Sequence, residues 1–356
     1  MSSSELPIAF VHASDIVPAT IALSISGIIV VLLRFWVRVS HKMGVRMDDW
    51  LILAALVFVV AMAVVSLYGV SRQAVGYPSE ELSPQEQLTS LTPEQRLVEL
   101  TYWLSSVLML PATGSVKLST LYLYRRIFPV ETMPAFNILS NLSVVVCALW
   151  TIAFFFSRVF GCGIHLQCSW ASFAEISTCC TDKFLNQDVL MISDLITDVL
   201  IWLLPIPVVW GLNISTHRKL GVVAIFLLAA CSLAAAVVRL LIQLAIHKKG
   251  FTARTNVNLT LSTSLYWQFI EAAIALIACC LPMMPLFFKL TSISRGFSSL
   301  RSKLSMTSMN SPQTEIHGSE DKLCERSSFA IYIERAFDLD SENLTPSPSR
   351  PDDCFV

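Results

Sequence analysis

Apolar residues fall in seven long blocks separated by short polar joints, at about residues 16–37, 49–70, 97–122, 136–157, 186–210, 220–246 and 263–288. A bilayer core about 30 Å thick is crossed by about 20 apolar residues in a helix, so each block predicts a transmembrane helix. Membrane β-strands are only about 10 residues long and alternate in polarity, and these blocks do neither. The third and fifth blocks are the least uniform, because each carries ionisable residues. The predicted fold is an all-α membrane protein, a seven-transmembrane-helix bundle. No internal repeat is visible, which argues against a repeat-built transporter.

Composition agrees with this pattern. Of 356 residues, 54% are hydrophobic and 14% charged, where a soluble domain carries about 25% charged residues. The formal net charge of −1 gives no reason to expect a nucleic-acid partner; the expected partner is the lipid bilayer, at the plasma membrane or an endomembrane. Residues 1–15 hold no Lys or Arg, so a cleavable signal peptide is not expected. The first block is followed by Arg34, Arg38, Lys42 and Arg46, which places its C-terminal end in the cytosol by the positive-inside rule. The expectation is an extracellular N-terminus (1–15), a membrane domain (16–288) and a cytosolic C-terminus. Lys248 and Lys249 run against this orientation. Leu290, Ile293, Phe297, Leu300 and Leu304 recur at helical spacing among basic residues. That predicts an amphipathic juxtamembrane helix at 289–305 on the inner leaflet. The Ser- and Pro-rich stretch 306–356 is expected to be a disordered cytosolic tail.

Cys162, Cys168, Cys179 and Cys180 lie together after the fourth block. An oxidising outer compartment allows disulfides there, and four cysteines allow three pairings. At least one bond is expected, Cys162 with Cys179 or Cys180, with Cys168 the candidate for the other. Asn258-Leu259-Thr260 is a sequon just before the seventh block, where glycosylation is expected to be weak or absent.

Several motifs occur in order: Asp48-Asp49-Trp50 at the turn into the second block, and KLSTLYLYRRIF from Lys117 to Phe128. Phe160-Gly161-Cys162, Trp170 and Cys179 follow, then Asp198 with Pro205-Ile206-Pro207, Arg239, and finally Trp267, Glu271, Pro282 and Pro285. The ordered set, over roughly residues 20–290, resembles the fungal rhodopsin-like integral membrane proteins. The resemblance implies a seven-helix fold and a receptor-like role or a place beside secondary-metabolite genes. Retinal would need a Schiff-base lysine in the last helix, and that block has none before Lys289. No cofactor is expected, and no metal: there is no HExxH.

Ionisable side chains inside a bilayer are functional candidates by default. At about 1.5 Å rise per residue, Asp194, Arg239 and Glu271 each lie about 10–12 Å below the outer surface, on three different helices. Asp198 is one turn below Asp194 on the same helix face. A guanidinium can fork onto two carboxylates, so Arg239 is expected as the hub of a polar cluster with Glu271 and one aspartate. Trp267 is placed as its roof, with Gln268 and Gln243 as extensions. Packing alone accounts for such an ion-pair network as well as a ligand site does. Lys117 is read as lying toward the inner end of its helix, able to snorkel and to form a cytosolic latch with Asp49, near Asp48. Pro111, Pro205, Pro207, Pro282 and Pro285 are placed inside helices as kinks.

The first functional reading is a receptor-like protein that senses a small-molecule ligand and signals to a cytosolic partner. The second is an intramembrane enzyme, a cyclase or hydrolase of a lipophilic secondary metabolite, using Asp194, Asp198 and Glu271 as acids and bases. A transporter is the third.

Overall fold

A computed structural model describes residues 10–40, 44–78, 92–127, 134–171, 178–180, 183–206, 229–244 and 256–281. They form seven long α-helices and no strand. The helices are α1 (Ala13–Ser40), α2 (Met47–Ser71), α3 (Pro93–Ile127), α4 (Pro134–Val159), α5 (Lys183–Leu203), α6 (Ala229–Leu244) and α7 (Val257–Cys280). A short 3₁₀ turn, Leu166–Trp170, follows α4.

Among the described residues, α1, α2, α4 and α7 are each long and apolar enough to cross a membrane. Their large apolar side chains point outward: Ile21, Ile25, Ile28 and Leu32 line one face of α1, and Leu142, Val145, Leu149 and Ile152 one face of α4. In water such stripes would be aggregation surfaces; in lipid they are the ordinary solvent face. Polarity turns inward instead, with Thr101, Ser105, Lys117 and Ser119 of α3 and Ser262, Thr263 and Gln268 of α7 buried.

The burial gradient fixes the layout. In the most apolar stretch of α7, 61% of residues are inside the protein, against 11% for α4, so α7 is central and α4 peripheral. α3, 35 residues long, packs against α2, α4 and α7, while α1 covers α2 and α7. Gly114 lets α3 approach α4 closely: a Cβ there would lie 2.3 Å from Thr151 Oγ1. Small residues at such crossings are how membrane helices gain van der Waals contact.

Successive helices run in opposite directions, so the joints sort to two ends of the bundle. At one end Ala13 N–H donates to Gly76 C=O (3.2 Å) and Val11 N–H to Thr263 Oγ1 (3.1 Å), bringing together the starts of α1 and α7 and the end of α2. The loop after α4 sits at this end too, where Trp170 meets Trp103 of α3 with ring centres 5.2 Å apart. Cys162 bonds Cys180, and Cys168 bonds Cys179. Of the two partners left open for Cys162, the structure selects Cys180. We call this the stapled end.

The helix boundaries shift by a few residues from the sequence reading, and two of the shifts have a local cause. α7 begins at Val257, six residues before the expected 263, because Asn256 caps it: its side chain accepts from Leu259 N–H at 3.3 Å. The sequon is therefore inside the first turns of α7, with Asn258 and Thr260 buried. Pro205 falls in a turn directly after α5 rather than inside a helix, in keeping with a proline's missing N–H. Pro207, Pro282, Pro285, Lys248, Lys249 and the whole stretch 289–356 lie outside the described residues.

Candidate functional site

α5 presents Asp194 and Asp198 one turn apart, α3 presents Lys117, α6 Arg239 and α7 Glu271. The structure brings all five side chains into one cluster. Lys117 Nζ lies 2.6 Å from Asp194 Oδ1 and 3.0 Å from Asp198 Oδ1. It also donates to the Asp194 carbonyl (3.1 Å) and Thr197 Oγ1 (2.7 Å), and sits 4.7 Å from the centre of the Trp150 ring. The other oxygen of Asp194 takes Arg239 Nη2 at 3.0 Å. Arg239 Nε lies 3.2 Å from Glu271 Oε2, and its Nη2 lies 3.3 Å from Oε1.

Asp194 is thus the hinge of the network: one carboxylate joins an ammonium on α3 to a guanidinium on α6. Each of these charges needs the others, since an isolated ion in a low-dielectric interior is far more costly than a paired one. The cluster ties α3, α5, α6 and α7 together at mid-bundle.

Two expectations are corrected here. Lys117 does not latch to Asp49; it belongs to the central cluster. Height does not separate the two: Ser119, two residues on and about 3 Å further along the helix, donates to the Asp48 carbonyl at 2.7 Å, but Lys117 is turned toward α5. Asp48 and Asp49 are taken by arginines instead. Arg34 binds Asp48 (2.7 Å), Asp49 (3.0 Å) and the Cys279 carbonyl (3.0 Å). Arg38 binds both aspartates and Arg126 of α3 lies 3.8 Å from Asp48. This second cluster joins α1, α2, α3 and the end of α7 opposite the staple. Its signal was present in the sequence: Arg34 and Arg38 are four residues apart on one helix face, and two aspartates follow across a short joint.

Trp267 is half-buried and lies edge-on to Tyr266, with centroids 5.8 Å apart. Gln268, not Trp267, lines the space at Arg239. Gln243 is buried.

Three cavities flank the cluster. On the side away from the staple, a cavity of about 100 Å³ is lined by Lys117, Tyr124, Asp198, Trp202, Ser232 and Glu271 among others. Toward the staple, a polar pocket of about 10 Å³ is bounded by Thr113, Gln187, Asp194, Arg239 and Gln268, about the room of one water. Beyond it, under the stapled loop, is a cavity of about 420 Å³. Arg158 borders both of the latter two.

One carboxylate oxygen from each of Asp194, Asp198 and Glu271 lies within 4.8 Å of the others, the geometry of a metal-binding group. Lys117 and Arg239 stand among those oxygens, so the protein's own cations supply the counter-charge a metal would bring.

An all-helical, multi-pass bundle with lipid-facing stripes and a buried ionic core defines a polytopic membrane protein. The chain belongs to the fungal rhodopsin domain family, whose sequence model matches residues 33–290. It is 28% identical over 204 residues to a Metarhizium anisopliae protein named "Polyenoic acids biosynthesis gene cluster protein Ba17b", covering 56% of this chain and 52% of that protein. It is 27% identical over 195 residues to "Phomoidride biosynthesis cluster protein H" of a Fungal sp., covering 52% and 53%. Against a "SAT4 family membrane protein" of Emericella nidulans it is 28% identical over 185 residues, covering 52% and 44%. The chain spans about half the length of these curated relatives. No solved structure matches it.

Proposed function

We propose that this chain is a receptor-like membrane protein in which a small ligand, entering from the stapled end, resets the central charge cluster. The observation that supports this reading is the position of the cluster. Five charges on four helices lie between a large cavity under the stapled loop and a second cavity on the far side. A ligand that alters one pair changes the balance of all of them, and each helix so released has its other end near the opposite face. The disulfides support an orientation in which the stapled end, and with it the start of α1, faces an oxidising compartment outside the cytosol. Tags on both termini, probed before and after permeabilisation, check that orientation. Labelling of a C-terminal tag on intact cells overturns it.

A second reading has its own support. The three mutually close carboxylates border the cavity of about 100 Å³, and two relatives carry the names of biosynthesis-cluster proteins. In that reading Asp198 and Glu271 exchange protons with a lipophilic metabolite.

Asp198→Asn separates the two. Asp194 alone still pairs Lys117 with Arg239, so the fold is expected to survive. In a fungal host deleted for this chain, the receptor reading expects the variant to lose the transcriptional response that the wild-type chain restores. Purified wild-type protein in nanodiscs is then expected to convert no metabolite of the host's extract. Turnover by the wild-type protein that disappears in Asp198→Asn would replace the receptor with the enzyme.

A further inference from the structure

Arg158, in the last turn of α4, is 8% exposed. Among the described residues no ion pair joins it to a carboxylate, and Glu99 is near enough to be felt electrostatically. Its guanidinium carbon sits 5.8 Å from the centre of the Tyr102 ring, and its Nε has no hydrogen-bond partner. Every other buried cation described above has at least one carboxylate on it. A buried guanidinium held by one tyrosine, ring and hydroxyl, with no carboxylate bonded to it is a costly arrangement unless an anion completes it.

The space beside it is of ligand size. Arg158 borders the cavity of about 420 Å³, and small-molecule sites run about 300–1,000 Å³. Its other walls are Trp103, Leu185, Val189 and the Cys162–Cys180 bond, with Ser157 and Asn186 bonded to each other. The Trp103 indole N–H is a second buried donor without a partner. The cavity thus offers a forked cation beside walls that mix the apolar Trp103, Leu185 and Val189 with Ser169 and the Ser157–Asn186 pair.

We propose that this cavity binds an amphipathic organic acid, its carboxylate on Arg158 and its apolar body against Trp103, Leu185 and Val189. The planar fork suits a carboxylate bidentately. A phosphate, with more oxygens to satisfy, would call for more donors than one guanidinium supplies. This inference rests on the receptor reading for its purpose: Arg158 also borders the small pocket shared by Asp194 and Arg239. An acid bound there neutralises a positive charge facing the cluster.

The test uses purified full-length protein in nanodiscs with 4-phenylbutyrate as probe and 4-phenylbutyramide as its uncharged match. Tryptophan fluorescence and thermal unfolding are read together. The acid is expected to bind at least about tenfold more tightly than the amide and to raise the melting temperature. Arg158→Met should abolish that preference. Without probe, the same variant should unfold at or above the wild-type temperature, because an unpaired buried charge has been removed. Equal effects of acid and amide on the wild-type protein, including no effect of either, overturn the proposal. So does an Arg158→Met variant that keeps the preference, or one that unfolds earlier without probe, which would make Arg158 a packing residue. Acid binding without any loss of host response in Arg158→Met leaves the site standing and removes the receptor reading instead.

Discussion

The two ionic clusters are built from similar side chains and differ in charge balance and in their surroundings. The cluster at the end opposite the staple sets Arg34, Arg38 and Arg126 against Asp48 and Asp49, a surplus of one positive charge. The central cluster sets Lys117 and Arg239 against Asp194, Asp198 and Glu271, one negative charge in excess when all are ionised. In the first the closest ion pairs are local, Arg34 reaching Asp49 across 15 residues and Arg38 reaching Asp48 across 10, while the bond from Arg34 to the Cys279 carbonyl and the looser Arg126–Asp48 contact bring in α7 and α3. The second is long-range, with partners 77, 45 and 32 residues apart. Local pairs fasten one helix to the next, here at the end of the bundle opposite the staple. Long-range pairs at mid-bundle lie beside cavities, and their balance can shift only if something enters. On the receptor-like reading proposed above, what separates a seam from a sensor is its surroundings rather than its residues.

The sharpest way to break this comparison is Asp194→Ala, which leaves Lys117 and Arg239 both without their shared carboxylate. Removing one partner of a buried pair costs about 3–5 kcal/mol, so this should be the most damaging single change, read as thermal unfolding in detergent. Next comes the staple. Cys162→Ser opens a bond closing 18 residues, worth about 3 kcal/mol in the chain-entropy model; peptide mapping of alkylated, unreduced protein should show Cys162–Cys180 and Cys168–Cys179 in the wild type. Asp48→Asn should cost less than Asp194→Ala, about 1.5–3 kcal/mol for charged hydrogen bonds, because Asp49 still holds Arg34 and Arg38. An Asp48 variant that unfolds more readily than the Asp194 variant would reverse the ranking of the two clusters. The smallest effect is expected from Trp267→Phe, within about 0.5 kcal/mol, since that ring meets Tyr266 rather than the ion pairs.

Much of the architecture was legible in the chain. Block length and apolarity predicted each helix, because lipid admits only segments that satisfy their own backbone. Asp194, Arg239 and Glu271 could be matched by depth alone, because helical rise converts residue number to height. Depth does not convey azimuth, and that is where Lys117 was misplaced: its height suited either cluster, but the rotation of α3 turns it to α5. The same blindness gave Trp267 the place that Gln268 takes, one residue and about 100° further round the helix. Arg158 drew no attention as a site, since a charge at a helix end looks like an interface anchor until its burial is seen.

The sequence by itself therefore determined that this is a helical, multi-pass protein of the fungal rhodopsin domain family, with a cysteine-rich loop after the fourth helix. These follow from one-dimensional quantities: run length, polarity and motif order. Only the tertiary structure decided which charge meets which, which of Cys179 and Cys180 bonds Cys162, and that a buried arginine borders a ligand-sized cavity. Those depend on how each helix is rotated about its axis and how closely it approaches its neighbours. Packing sets both, through contacts such as Gly114 on Thr151 that no single helix contains.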